Sequence, residues 1–410
     1  MESEISTARQ RVVFESAGIP VVRSGRVMSA ESPIHAAPVS AKSLKVREAR
    51  FEDYSDVIAL ESKFHLASKS YEDWTHLWVK NPAYRDAEDR FPIGWVLQNE
   101  DGAISGYLGN IPLNYQFEGA NLLAATTRSW VVDTAYRPHS LLLLATYFKQ
   151  PNVDLFLNTT VNSQAANAFS ALQGVPVPVG AWDRSLFWIT HYRGFTESFL
   201  RKRGASMAKP LSYPFSAGVF FRDQFGKKRL TKNGNRTRVI PCARFDDRFD
   251  AFWEALKKKK SQLLLAVRTR EVLEWHFTSA LLRNAAWIYT VEGDSGLLAY
   301  AVFVRQDNPD SGLTRVRLAD FQCLEEGSAS AFFTAMLRAA SDRCRQESIH
   351  MLELIGLSPA LETEAEGLYP HRRQLPNWMY FYRVNQPSLG ERLKSATAWE
   401  PSLFDGDSSL

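Results

Sequence analysis

The sequence predicts an α+β protein built as two ordered units, and three observations carry that reading. The 410 residues exceed what one ordinary core fills. Strand-like alternation and helix-like spacing of apolar residues follow one another along the chain. One order of events (strand, two helices, hairpin, third strand, helix, strand) is read twice, on either side of a stretch rich in Gly, Ser, Lys and Pro. The expected boundaries are a mobile tail over 1–44, a first unit over 45–203, a linker over 204–236, a second unit over 237–385 and a C-terminal tail over 386–410.

In the first unit, LKVREAR alternates as a strand does, and FEDYSDVIALESKF places Tyr54, Val57, Ile58 and Leu60 near helical spacing. Asp53 suits the start of that helix. YEDWTHLWVK is a second short helix with Trp74 and Trp78 four apart, stopped by Asn81-Pro82. IGWVLQ and ISGYLGNIPLNYQF flank Asn99-Glu100-Asp101-Gly102 and read as a hairpin. TTRSWVVD is a third strand. TAYRPHS is a turn into the helix LLLLATYFKQ, VDLFLNTT is a strand, and VNSQAANAFSALQG is a loop and helix. PVPVG and LFWITHY close the unit, with a helix over Phe195–Arg203.

KPLSYPF and KKRLTKNGNR read as linker. In the second unit RVIPCARF is a strand and FDDRFDAFWEALKKKK an amphipathic helix whose lysines suit its C-terminal dipole. REVLEWHF is a short aromatic helix, and AAWIYTVEGDSGLLAYAVFVR is a hairpin turning at Gly293-Asp294-Ser295-Gly296. TRVRLADFQ, ASAFFTAMLRAASDRCRQ, HMLELIG and WMYFYRV complete the unit as strand, helix, strand and closing strand. The two halves match in pattern, not in residue identity.

Composition narrows the function classes. A net charge of +4 falls short of a DNA-binding signature. Cys242, Cys323 and Cys344 are widely spaced with no CxxC pair, which argues against a disulfide framework and a zinc site and fits a reducing cytoplasm. No apolar run reaches the ~20 residues of a membrane span, and the acidic N-terminus has no secretory h-region. The eleven tryptophans sit mostly in apolar periodic contexts, so they read as core.

The run from Thr126 to Gly174 resembles the cofactor-binding half of the GNAT acyltransferase fold, well over about residues 45–185 and more loosely over 237–385. The resemblance implies tandem units, each a mixed, mostly antiparallel twisted sheet flanked by helices. It also implies acetyl-CoA or a longer acyl-CoA as co-substrate, and no metal. The family's pyrophosphate turn is Gln or Arg, two residues, Gly, one residue, then Gly or Ala. Here it reads Arg137-Pro138-His139-Ser140-Leu141-Leu142, with the arginine kept and both small positions changed. Arg137, His139, Ser140 and Leu141 would meet the phosphates. Backbone N–H groups at Val131 and Val132 would face the developing oxyanion, Asn162 would hydrogen-bond the pantetheine, and Ala165 would leave room for it. RPHS also reads as a polar-capped helix start.

The resemblance further points to catalytic carboxylates and a phenol. Asp133 is the nearest acid to the third strand's end, and also reads as a cap residue. The family's phenol position is Phe169, which donates no proton. In the second unit the matching turn, Cys323 to Ser328, has two acids and no arginine, so it should not hold CoA. Asp320 and Glu353 lie on its central strands where the fold places its base, Tyr369 falls near the phenol's place, and the two acids also read as solvated strand ends. Three functions follow as expectations. The first is an N-acyltransferase acting on a small-molecule or glycan amine, such as an amino sugar or a cell-envelope polysaccharide component. The others are a Fem-type transferase fed by aminoacyl-tRNA and a non-catalytic binding scaffold.

Overall fold

The computed structural model describes residues 44–410 apart from 67–68, 88–90, 181, 206, 226–229, 231–236, 295 and 376–377. The expected tail over 1–44 therefore lies outside the described residues but for Leu44, as do much of KKRLTKNGNR and Ser295 of the second hairpin turn.

The chain opens with β1 (Lys45–Glu48), a 3₁₀ turn, α1 (Tyr54–Lys63), α2 (Tyr71–Val79) and α3 (Pro82–Asp86). Ser70 caps α2 by accepting from Asp73 N, and Asn81 caps α3 with a proline at its first turn. Next come β2 (Gly94–Gln98), β3 (Ile104–Phe117) and β4 (Ala120–Val132), then a 3₁₀ turn (Thr134–His139) running into α4 (Ser140–Tyr147). β5 (Leu155–Val161), α5 (Ser163–Ala171), β6 (Val175–Pro176), β7 (Arg184–Ile189) and α6 (Tyr192–Lys202) follow.

The stretch expected to be a linker instead carries an 18-residue helix, α7 (Ala208–Phe225). Pro210 sits in its first turn, where a missing N–H costs little. Beyond it run β8 (Ile240–Cys242), α8 (Asp247–Lys259), β9 (Leu265–Ala266), α9 (Arg270–Leu282), β10 (Ala286–Gly293), β11 (Gly296–Arg305) and β12 (Arg315–Cys323). The chain ends with α10 (Ala329–Gln346), β13 (Met351–Ile355), α11 (Pro359–Gly367), β14 (His371–Gln374), β15 (Met379–Val384) and α12 (Pro387–Leu393).

These strands form two mixed, mostly antiparallel sheets. The first runs β1-β2-β3-β4-β5-β15-β6, with β9 added beside β3. The second runs β14-β7-β13-β12-β11-β10-β8. Each has one parallel pair, β4 with β5 and β12 with β13. The closing strands are exchanged: β15 pairs with β5, and β7 pairs with β13. The boundaries expected at 203 and 237 therefore cut across both sheets.

Residues 386–410 are also not a tail. Leu393, Trp399, Leu403 and Phe404 are buried in a core that includes Tyr115 and Leu155 of the first sheet and Tyr300 of the second. The segment is held because its aromatic and leucine side chains remove apolar surface from water between the two sheets.

Candidate functional site

The site is set by what happens to β4 and β5 after their pairing stops. They are in parallel register for three pairs, ending at Thr126↔Leu157. Thr127 then donates from its backbone N (3.3 Å) and its hydroxyl (2.6 Å) to Asn158 Oδ1. Past that clamp β4 continues to Val132 and β5 to Val161 with no further pairing between them among the described residues. In the same place β4 bulges against β3: Arg128 pairs with Gly109 and Val131 with Tyr107, and Ser129 takes φ 56. A bulge turns backbone groups out of the ladder, here beside the gap between the two strands.

On β4 and beside it, on α1, α2, β3 and α9, lie polar groups that elsewhere in a core would be paired. Glu61 Oε1 (α1), Trp74 Nε1 (α2), Tyr107 Oη, Thr126 Oγ1, Arg128 Nε and His276 Nδ1 (α9) are buried without a hydrogen-bond partner among the described residues. Glu61 and Arg128 act on both Tyr107 and Lys69, Trp74 adjoins the Tyr107 hydroxyl, and Lys69 acts on His276, so five of the six belong to one electrostatic neighbourhood. A Cβ on Gly109 would stand 2.8 Å from the Tyr107 hydroxyl and 2.9 Å from the Arg128 carbonyl, so the strand leaves room there only for glycine.

The far wall is the C-terminal segment. Thr159 Oγ1 of β5 donates to Asp407 Oδ1 (3.0 Å), and Phe404 N donates to Ala319 O on β12 (3.0 Å). Asp405 accepts from Ser402 N (2.7 Å) and from Arg268 Nη2 (3.4 Å), while Ser409 meets His276 Nε2 at 2.7 Å. Burial pushes the Asp405 carboxyl up to about 7 against the pull of Arg268. Burial also raises Asp407, opposed by the charge of Arg128. Burial pulls His276 down to about 3, leaving a neutral imidazole, and burial followed by Arg128 lowers Lys69 to about 8. Buried carboxyls shifted toward neutrality are what proton transfer at ordinary pH requires.

The residues expected from sequence fall into three places. Val131 and Val132 lie on β4 just beyond the bulge, bordering the gap. Arg137 and His139 are exposed in the 3₁₀ turn, and Leu141 is exposed at the start of α4. Ser140 N–H donates to Arg137 O, so that amide points into the turn and away from a phosphate. Asn162 caps α5, its Oδ1 accepting from Ala165 N at 2.8 Å, and Asp133 caps the 3₁₀ turn while pairing with Lys63 at 3.0 Å.

The catalytic expectations in the second unit find other roles. Asp320 is wholly buried; burial would raise its carboxyl, but the two-pronged Arg268 bond (2.9 and 3.1 Å) and Tyr300 hold it below the usual range. Glu353, also wholly buried, is drawn down to about 2, burial being outweighed by Arg317, Arg373 and Arg315. Neither is free to take a proton at neutral pH, nor is either a solvated strand end. Tyr369 is exposed after α11 with φ 54 and borders neither group. Phe169 is core, packed on Trp130, Phe148 and Phe381.

Sequence reading missed Glu61, Lys69, Arg128, His276, Asp405 and Asp407. One signal was present: WEPSLFDGDSSL mixes Trp399, Leu403 and Phe404 with three acids, a composition unlike a solvated tail. Among the described residues no cluster of three or more His, Cys, Asp or Glu is placed to hold a metal.

With this geometry in place, comparison of whole folds gives a consistent class. The chain is similar to Saccharomyces cerevisiae N-myristoyltransferase with bound myristoyl-CoA (TM-score 0.53, 13% identity, covering 89% of this chain and 85% of that one). It is similar to a GCN5-related N-acetyltransferase from Anabaena variabilis (TM-score 0.52, 10% identity, 84% and 74%). A third such protein, from Kribbella flavida, aligns at TM-score 0.50 with 12% identity over 85% and 72%. The chain therefore has a GNAT-like fold. No protein-family model matches the sequence, and no curated protein does either.

Proposed function

We propose that the chain is an N-acyltransferase moving an acyl group from acyl-CoA to a small amine bearing further polar groups, as amino sugars do. The observation that carries this is the unpaired divergence of β4 and β5, with the Ser129 bulge on one side and the Asp407 carboxyl at its inner face. The gap gives an extended pantetheine arm two strand edges to lie between, with its phosphates toward Arg137 and His139. The amine reaches the thioester carbonyl from the inner face, among Glu61, Tyr107 and His276. As the C–N bond forms, the amine's proton passes to Asp407. Backbone N–H groups near Val131 meet the oxyanion, and the C–S bond breaks to release CoA thiolate, which regains a proton from the Asp407 carboxyl.

The test pairs binding with turnover. Calorimetric titration with acetyl-CoA and myristoyl-CoA should show binding that weakens in Arg137→Ala. Asp407→Asn should bind the same acyl-CoA with unchanged affinity yet lose about 10²-fold or more in kcat against a panel of amino sugars. Absence of binding to any acyl-CoA would overturn the reading, and an Asp407→Asn enzyme of undiminished kcat would overturn the role of that carboxyl.

A further inference from the structure

A cavity of about 710 Å³ lies between the β14-β7-β13 edge of the second sheet and the α6–α7 pair. Phe187, Ile189, Phe195 and Met351 give it an apolar floor, and Arg315 and Arg373 reach into it from β12 and β14. The charge there does not balance. Glu353 is the one carboxylate shared by Arg317, Arg373 and Arg315, the last at 3.6 Å. Arg373 Nε is buried without a partner among the described residues, and burial with the neighbouring Arg317 pulls Arg315 down to about 10. Partly desolvated cations in excess over their counter-charge are costly unless an anion arrives.

The outer wall of this cavity is unusual as well. On α7, Ala208, Ser212 and Asp223 face the protein, whereas Leu211, Phe215, Phe221 and Phe225, with Met207 just before the helix, fall on one outward face at helical spacing. Phe221 is 58% exposed and Phe225 85%. Of the exposed cations nearby, Arg193 lies over the Tyr213 ring of α7, Arg201, Lys202, Arg203 and Arg222 line the cavity behind it, and Lys209 is on α7 itself. The acids facing them are Glu197, bound by Arg201, Asp223, buried against His371 and paired with Arg222 at 3.3 Å, and Asp310, which lines the cavity. An apolar stripe bordered by cations matches an interface of acyl chains and anionic headgroups. No helix among the described residues is long and apolar enough to cross a membrane, so α7 would lie along the surface.

We propose that the α6–α7 pair docks on anionic lipid bilayers and that the cavity behind it receives the anionic head and first carbons of a single-chain amphiphile from that surface. This is independent of the acyl-transfer site.

The full chain should co-sediment with vesicles of phosphatidylcholine containing about 30% phosphatidylglycerol at least about tenfold more than with phosphatidylcholine alone, and high salt should weaken it. Phe221→Glu/Phe225→Glu should abolish this. Dodecyl phosphate, but not the neutral dodecyl maltoside, should raise the melting temperature. Leu313→Trp, which fills the cavity, should remove that shift while keeping vesicle binding, which also reports that it has folded. Equal binding to both vesicle types, or retention in the double variant, would overturn the proposal. So would a dimer that the double variant splits, since a second copy would then cover the stripe. A response to dodecyl phosphate without vesicle binding would overturn the membrane as source, and no response would overturn the cavity's part.

Discussion

At the residue scale the most informative group is Asp405, a carboxyl buried between Arg268 and the Ser402 backbone. Its folded value of about 7 lies above the ordinary 3.8. The folded protein therefore holds an extra proton between those limits, and the stability this contributes is full below about pH 4 and lost as pH rises through 7. His276 runs the other way, since its folded value of about 3 lies below 6.5 and favours folding as pH climbs from 3 toward 6.5. Taking the difference between wild type and the Asp405→Asn variant removes that opposing trend, which both proteins share. Between pH 5 and 8 the wild type should lose on the order of a few kcal/mol more unfolding free energy than Asp405→Asn. Urea titrations at both pH values measure this, and parallel curves for the two proteins would contradict the assignment. Asp405 was invisible in the sequence because its environment comes from Arg268 and Tyr115, residues no local pattern links to it.

At the scale of elements, what depends on neighbours along the chain was legible, and what depends on distant partners was not. The helices near Trp74 and Trp275, both hairpins and the Thr126–Gly174 succession follow from local periodicity and caps. α7 was hidden by Pro210 and Pro214, which punctuate the sequence yet break few bonds, one lying in the first turn and the other, inside the helix, removing the single donor to the Pro210 carbonyl. Of the candidate site, the strand end at Val131–Val132 was legible, while its carboxyls sit on a segment that pattern alone assigned to a tail. That segment rests on β5 through Gly406, where a Cβ would come within 2.7 Å of Thr159. Gly406→Ala should shift Asp407 and lower kcat at least about tenfold with circular dichroism unchanged. A wild-type rate would mean that the segment's position does not matter to turnover.

At the scale of the whole molecule, neither sheet is complete within its own half of the sequence. β7 belongs to the second sheet and β15 to the first, and the C-terminal segment bridges both. A fragment ending at residue 203 keeps β1–β5 but leaves the far edge of β5 unpaired and its Leu155 and Leu157 uncovered. It should show no cooperative urea transition alone, and should regain one when co-expressed with a fragment from 237 to 410. A fragment that unfolds cooperatively without its partner would show that the exchange is dispensable.

The exchange also bears on how the chain is made. Arg383 on β15 donates to the carbonyl of Phe148, a residue 235 positions earlier. During synthesis, the first sheet waits with an open edge and an uncovered face until β15 has been made. Contacts that far apart make folding slow and leave strand edges exposed to other chains meanwhile. For this protein the hazardous interval is therefore its own translation, when the unpaired edge of β5 is open to the edges of other nascent chains.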